Sequence, residues 1–156
     1  MNIFLLDHDI KKCARYHCDK HVIKMILEYT QILCTVCNLN GIQTPYRPTH
    51  KNHPCVQWAN TSMENWQWLK KLALALNREY RYRYAHQSDH ASATVIKTLQ
   101  KPPLPHLGLT EFPQVMPEQF QIKDNPVEAY RDYYVQMKRP FATWTKRKPP
   151  RWWRSH

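Results

Sequence analysis

The sequence predicts an all-α, compact single-domain bundle of about three to four helices with long proline-rich connections. Three observations carry this reading. Apolar residues recur at three- and four-residue steps through two long windows. Glycine is scarce, at 2 residues, beside 12 prolines, which excludes a flexible glycine-rich linker and leaves stiff turns between helices. The 156 residues, 42% of them hydrophobic, suffice for one buried core and fall within the ~100–200 residues of a single domain.

Residues 1–10 open with Ile3, Phe4, Leu5 and Leu6, a short apolar stretch read as a strand or an extended arm packed on the core. From 11 to 36, Val22, Met25, Ile26, Tyr29, Ile32, Leu33 and Val36 mark one amphipathic helix with no proline or glycine in it. Residues 38–54 collect Gly41, Pro45, Pro48 and Pro54 and form a loop that presents Tyr46, Arg47, His50, Asn52 and His53. A second long helix spans about 61–84 through Trp66, Leu69, Ala73, Leu76 and Tyr80, and Thr61 with Glu64 has capping-box spacing. A shorter helix covers about 88–100. Residues 101–126 hold six of the prolines and are ordered only if they run along the surface. Asn125, Pro126 and Glu128 form a helix start, with Asn as N-cap and Pro at the first position, for a last helix to about residue 137. No internal repeat is present.

Charge narrows the function. Lys and Arg total 23 against 12 Asp and Glu, a net charge of +11 that folding does not need and that attracts polyanions. DNA and RNA fit better than an anionic membrane, because the sequence has no apolar run of spanning length. The first residues, with Asp7, His8 and Asp9 close behind, read as neither a secretory signal nor a transit peptide, so the expected location is the cytoplasm, that of the host cell if a phage encodes the chain. The five cysteines, Cys13, Cys18, Cys34, Cys37 and Cys55, are odd in number and expected to be reduced thiols.

Three constellations can carry chemistry. Basic and aromatic residues interleave at Arg78, Arg81 and Arg83 with Tyr80, Tyr82 and Tyr84, and again in the tail, 138–156, which has seven Lys or Arg and no acid. Cations there would neutralise phosphates and flat side chains would stack on bases. Trp66 and Tyr80 lie on the helical period and read as core, whereas Trp152 and Trp153, beside Arg151 and Arg154, have no such period and read as contact residues. The second constellation is Asp19, Lys20 and His21 with Glu28. His21 and Glu28 are two turns apart on nearly one face, close to Lys24 and Cys18, where carboxylate, imidazole and amine could stabilise a cation and move protons. The alternative is a surface ladder of ion pairs through Lys20, Lys24 and Glu28. The third is metal: Cys34, Cys37, His50 and His53 come near a Cys2His2 zinc pattern, one residue short between the histidines, while Cys13, His17 and His21 line up along ~12 Å of helix, too far for one ion.

Three stretches resemble the pyrimidine-dimer DNA glycosylases of the phage endonuclease V type and their bacterial relatives. They are Met1-Asn2-Ile3-Phe4 with Leu6, the helix carrying Asp19, His21 and Glu28, and the loop Lys51-Asn52-His53-Pro54 leading to a helix that ends Glu79-Tyr80, together about residues 1–84. The chain also resembles small phage-encoded proteins. The first resemblance implies an all-helical fold, a free N-terminal amine that attacks the sugar C1′ with loss of the damaged base, a Schiff base, and an associated lyase step assisted by a helix-borne glutamate, here Glu28. An α-amine, with a pKa of ~7.7–8.0, keeps a neutral fraction near pH 7 that an ordinary lysine near ~10.4 lacks. Asn2 is larger than the small hydroxyl residue those enzymes expose, so the nucleophile would be the amine of Met1, or else Lys20. No arginine flanks Glu28, where Ile26, Leu27 and Tyr29 stand instead.

The expectation is therefore a DNA-binding glycosylase-like protein without a cofactor, acting on a damaged or modified base. Its nucleic-acid contacts would come from Arg47, His50, Asn52, His53, Arg78, Arg81, Arg83, Lys146, Arg147, Lys148, Arg151, Trp152, Trp153 and Arg154. Two other readings stand beside it: a non-enzymatic module binding DNA or RNA, and a zinc-stabilised interaction protein.

Overall fold

A computed structural model describes residues 1–154, the side chain of Arg154 excepted. Among them are seven helices, α1 (Ile10–Tyr16), α2 (Asp19–Leu39), α3 (Pro54–Ala59), α4 (Met63–Arg83), α5 (Ala91–Thr98), α6 (Pro126–Lys138) and α7 (Arg151–Arg154), with a short 3-10 turn at Glu118–Phe120 and no strand. The chain is all-helical as expected, with more and shorter helices than the apolar periodicity separates.

The centre of the molecule is α2 packed lengthwise on α4, with α1 also on α4, and α3 and α5 against α2. Each apolar position that marks the period of α2 is buried, from Val22 to Val36. On α4, Trp66, Leu69, Ala73 and Leu76 are fully buried, and the Trp66 indole N–H donates to the carbonyl of Leu33, which ties the two helices together at 3.2 Å. The end of α2 is set by Gly41 at φ +82°, with Ile42 N–H donating to Cys37 O and Gly41 N–H to Asn38 O, the paired bonds of a Schellman ending. Among the described residues the 21-residue α2 contains an 18-residue window of mean hydropathy 1.3, long and apolar enough by length and composition to cross a membrane, so the expectation of no such segment is corrected. Here 61% of that window is buried inside the protein.

The single helix expected over 11–36 is broken at His17 and Cys18, both in extended conformation. The break has identifiable causes. Arg83, at the end of α4, donates to the carbonyls of Arg15 and His17, which α1 would otherwise leave unpaired, and Tyr134 Oη accepts from Cys18 N–H. Apolar spacing runs through the break unchanged because both halves face the same core. The predicted start at Thr61 is corrected as well. Ser62 caps α4 by accepting from Asn65 N–H, and Glu64 turns outward to hold Gly108 N–H and His106. By contrast Asn125 caps α6 through Glu128 N–H, with Pro126 at the first turn, as the sequence indicates.

Residues 101–126 are ordered by side-chain bonds to the helices beneath, such as Trp58 Nε1–H to Thr110 O and Asn65 Nδ2–H to Thr110 Oγ1, and bury Leu104, Phe112 and Met116. One continuous buried cluster runs from Ile3 in the N-terminal arm to Trp144 in the tail. The arm itself, residues 1–9, is irregular and not a strand, turning where Leu6 N–H donates to Phe4 O, with Ile3 to Leu6 all buried.

Candidate active site

The N-terminal arm is pinned residue by residue. The Asn2 amide donates to Val115 O at 2.7 Å, and its Oδ1 accepts from Ile3 N–H and from Tyr130 Oη–H. Phe4 N–H donates to Tyr29 Oη, which lies 2.9 Å from His17 Nε2, while His17 Nδ1 is 2.7 Å from Cys13 O. Only a donor can face the Cys13 carbonyl, so Nδ1 carries the proton and Nε2 accepts from Tyr29. Burial lowers the His17 pKa to about 4, which keeps the ring neutral.

This anchoring delivers the α-amine of Met1 to 3.5 Å from Glu28 Oε1. Both stand in a cleft of about 300 Å³ whose walls also carry Phe4, His21, Lys24, Tyr133 and Lys138. Glu28 is largely enclosed, at 16% side-chain exposure, with Lys24 Nζ 3.7 Å from its Oε2. That second oxygen is buried and accepts no hydrogen bond among the described residues. A carboxylate with an unused lone-pair face beside an amine can stabilise positive charge that develops next to it.

The ring of His21 stacks on Phe4 at 4.6 Å and shares a 2.7 Å hydrogen bond with Tyr134. Burial first, then His17, which is charged only in acid, and the cations Lys138, Lys24 and Lys20 pull its pKa down to about 3, so His21 is a neutral wall and not a cation at pH 7. Lys138 has its pKa lowered by burial first and by Lys24 second. Its ammonium lies over Tyr133 at 5.1 Å and Phe4 at 5.7 Å. On the far side of the arm His53 caps α3 by accepting from Cys55 N–H. Burial, the Met1 ammonium and His50 lower the His53 pKa, against a hydrogen bond to the Met1 backbone, so this loop histidine belongs to the surroundings of the amine.

The structure therefore brings together Met1, Glu28, His21 and His53 and leaves other expected residues apart. Lys20 is exposed, 4.8 Å over the ring of Phe141, and is not on the wall of the cleft. Arg47, His50 and Asn52 are exposed on their loop, and Arg78, Arg81, Lys146, Lys148 and Arg151 are exposed on α4 and the tail.

Arg83 is the clearest correction: its side chain is fully buried, paired with Asp19 and Glu79 at 3.1 Å each, and cannot meet a phosphate. Asp19 is likewise structural. Burial pushes its pKa up, but bonds from Thr145, Thr143 and Arg83 outweigh that and hold it below the usual carboxylate range.

Trp152 and Trp153 are half-buried, not free contact residues, because α7 folds them back edge-on to Tyr16, Tyr134 and Trp144. A three-dimensional aromatic cluster needs no helical period. The Arg154 side chain lies outside the described residues.

No zinc site forms among the described residues. Cys34 and Cys37 are buried in α2, where Cys37 Sγ–H donates to Gln100 O, while His50 is exposed and His53 is occupied as a cap. The Cys13, His17 and His21 line is interrupted by the break between α1 and α2.

Sequence reasoning missed Lys138, Tyr133 and Val115, whose approach to the arm depends on how α6 and the long connection wrap round the core. The one usable signal for Lys138 was its place in the last turn of a well-capped helix, which says nothing about which site that turn meets. Residues 1–92 match the family model described as pyrimidine dimer DNA glycosylase. No curated protein and no solved structure gives a significant match.

Proposed function

The chain belongs to the pyrimidine dimer DNA glycosylase family, and from that premise we propose that it removes a damaged pyrimidine from DNA through the amine of Met1, with Glu28 as the assisting carboxylate, and then nicks the strand. The observation that carries this reading is the 3.5 Å approach of the Met1 amine to Glu28 inside a cleft large enough for an extruded nucleotide. A neutral amine forms a bond to the sugar C1′ as the glycosidic bond breaks, and the electron pair of that bond leaves with the base. The C1′–O4′ bond then breaks, one proton of the amine passes to O4′, and a protonated Schiff base forms between the amine and C1′. Loss of a proton from C2′ expels the 3′ phosphate and cuts the strand. Positive charge develops on the sugar and persists on the Schiff base, where the Glu28 carboxylate would stabilise it. Lys24 and Lys138 would supply the positive charge beside the carboxylate that flanking arginines would otherwise give, and attract the phosphates of the extruded nucleotide.

A binding module without catalysis would be favoured by Glu28 closed into a salt bridge with no cavity beside it. The open cleft beside Glu28, and an Oε2 that accepts no hydrogen bond among the described residues, support the catalytic reading instead.

The test is borohydride trapping on DNA carrying an abasic site, with the wild type, with Glu28→Gln and with the amine blocked by acetylation. We expect a covalent adduct for the wild type, none for the blocked protein, and for Glu28→Gln retained DNA affinity with turnover on dimer-containing DNA about 100-fold lower or worse. An adduct that survives blockage of the amine would move the nucleophile to a lysine. Equal turnover by Glu28→Gln would end the role of Glu28.

A further inference from the structure

A second cleft, of about 420 Å³, opens between α1, α4 and the tail and shares no lining residue with the one at the N-terminus. Lys11 and Arg15 stand one turn apart on α1, Arg78 faces them from α4, and Arg147 comes from the tail. Its one acid, Glu79, is already engaged by two guanidiniums. Glu79 Oε1 accepts from Arg83 Nε and Arg147 Nε at 3.1 and 3.0 Å, and Oε2 accepts from Arg147 Nη2 at 2.7 Å. Burial raises the Glu79 pKa, but Arg147 and Arg83 more than reverse it, so the group is a carboxylate already shared by two guanidiniums.

Lys11, Arg15 and Arg78 are thus exposed cations facing one cleft whose one carboxylate is shared by Arg83 and Arg147. Like charges gathered on neighbouring helices repel one another and work against folding, an arrangement that a bound anion would reverse. Arg147 adds a fixed element. Its guanidinium lies 4.3 Å from the ring centre of Tyr82 while the same group holds Glu79, so it is oriented before any ligand arrives. Tyr82 is 47% exposed and leaves an apolar edge suited to a sugar.

We propose that this cleft grips the phosphodiester backbone of the DNA away from the base-removal cleft, a second anchor that positions the duplex without reading its sequence. The proposal rests on DNA as the substrate. Two guanidiniums and an ammonium suit phosphate oxygens, and contacts to phosphate carry no sequence information, so the contribution is the same for every sequence.

The experiment measures affinity of the full chain for undamaged duplex DNA, and for duplex RNA of the same sequence, between about 50 and 200 mM salt. It compares the wild type, Arg15→Gln/Arg78→Gln and the charge-preserving Arg15→Lys/Arg78→Lys. Each phosphate contact contributes about 0.9 to the slope of log affinity against log salt. The glutamine pair is therefore expected to flatten the slope by between about 1 and 2 and weaken binding roughly tenfold on all DNA sequences alike, with the lysine pair close to wild type. Unchanged slope and affinity in the glutamine pair, in a protein whose thermal unfolding matches wild type, would overturn the proposal. So would a loss confined to RNA, or a loss of folding in the glutamine pair with a lysine pair that folds yet binds no better. If the wild type yields no borohydride adduct while the slope changes as expected, base removal fails and this second anchor stands.

Discussion

His17 commits both ring nitrogens, one to Cys13 O and one to Tyr29 Oη, and through Tyr29 it holds the Phe4 backbone and hence the arm that carries the amine. That geometry requires the neutral ring, and the folded pKa of about 4 against 6.5 makes this a stability term. Between those values the unfolded chain binds a proton that the folded chain refuses. Stability is therefore complete above pH 6.5 and falls as the pH drops, by roughly 3 kcal/mol at pH 4 at about 1.4 kcal/mol per pH unit. Urea unfolding at pH 7 and pH 4.5 should show the loss, and His17→Gln should remove about half of what the buried histidines lose, because His21, with a pKa of about 3, contributes an acid loss of similar size. An acid loss of the same size in the variant would assign it elsewhere. Asn2 illustrates the same scale from the side of sequence: read as an obstacle at the position of a small hydroxyl residue, it is the residue that ties the arm to Val115 and Tyr130.

At the scale of elements, the junction between α1 and α2 is built by a residue at the far end of α4. Arg83 closes the C-terminus of α1 and pairs with Asp19 in the first turn of α2, so one side chain sets the angle between two helices. Arg83→Leu leaves two carboxylates short of a buried partner and two carbonyls unpaired. We expect a loss of about 3–5 kcal/mol, measured by denaturant unfolding, and no change in the salt slope of DNA binding. A flattened slope in that variant, with stability intact, would restore Arg83 to the DNA surface. The interleaved run of arginines and tyrosines at the end of α4 could not disclose this, because Arg78, Arg81 and Arg83 differ only in which way the helix turns them and what meets them there. Periodicity found the bodies of α2 and α4 because each has a long apolar face, and the start of α6 was legible from Asn125, Pro126 and Glu128. It ran α1 into α2 because the break is made by tertiary hydrogen bonds and not by a proline or glycine.

At the scale of the whole molecule, the family match ends at residue 92 while the remainder of the chain folds back over the matched part. Val115 holds Asn2, Tyr134 holds Cys18 and His21, Thr143 and Thr145 hold Asp19, and Trp144 donates to Tyr16 O. Glu28 was legible in the sequence because the resemblance and its seven-residue spacing from His21 both point to it, and Met1 through the resemblance alone. Lys138 and Tyr133 were not, since their place in the cleft is a property of the closed chain and of no local pattern.

The five cysteines report on that closure from inside. All are buried and unpaired, and burial pushes the thiols of Cys13, Cys37 and Cys55 up to about 12, so almost no thiolate is present at neutral pH. They are distributed through the arm side of α1, the junction, the body of α2 and α3, which makes alkylation a clock for opening. With iodoacetamide and mass detection, the native chain should stay unlabelled at neutral pH over times in which the urea-unfolded chain takes five labels. Intermediate masses would name the helix that comes away first, and a jump from none to five would mean that arm, junction and core let go as one.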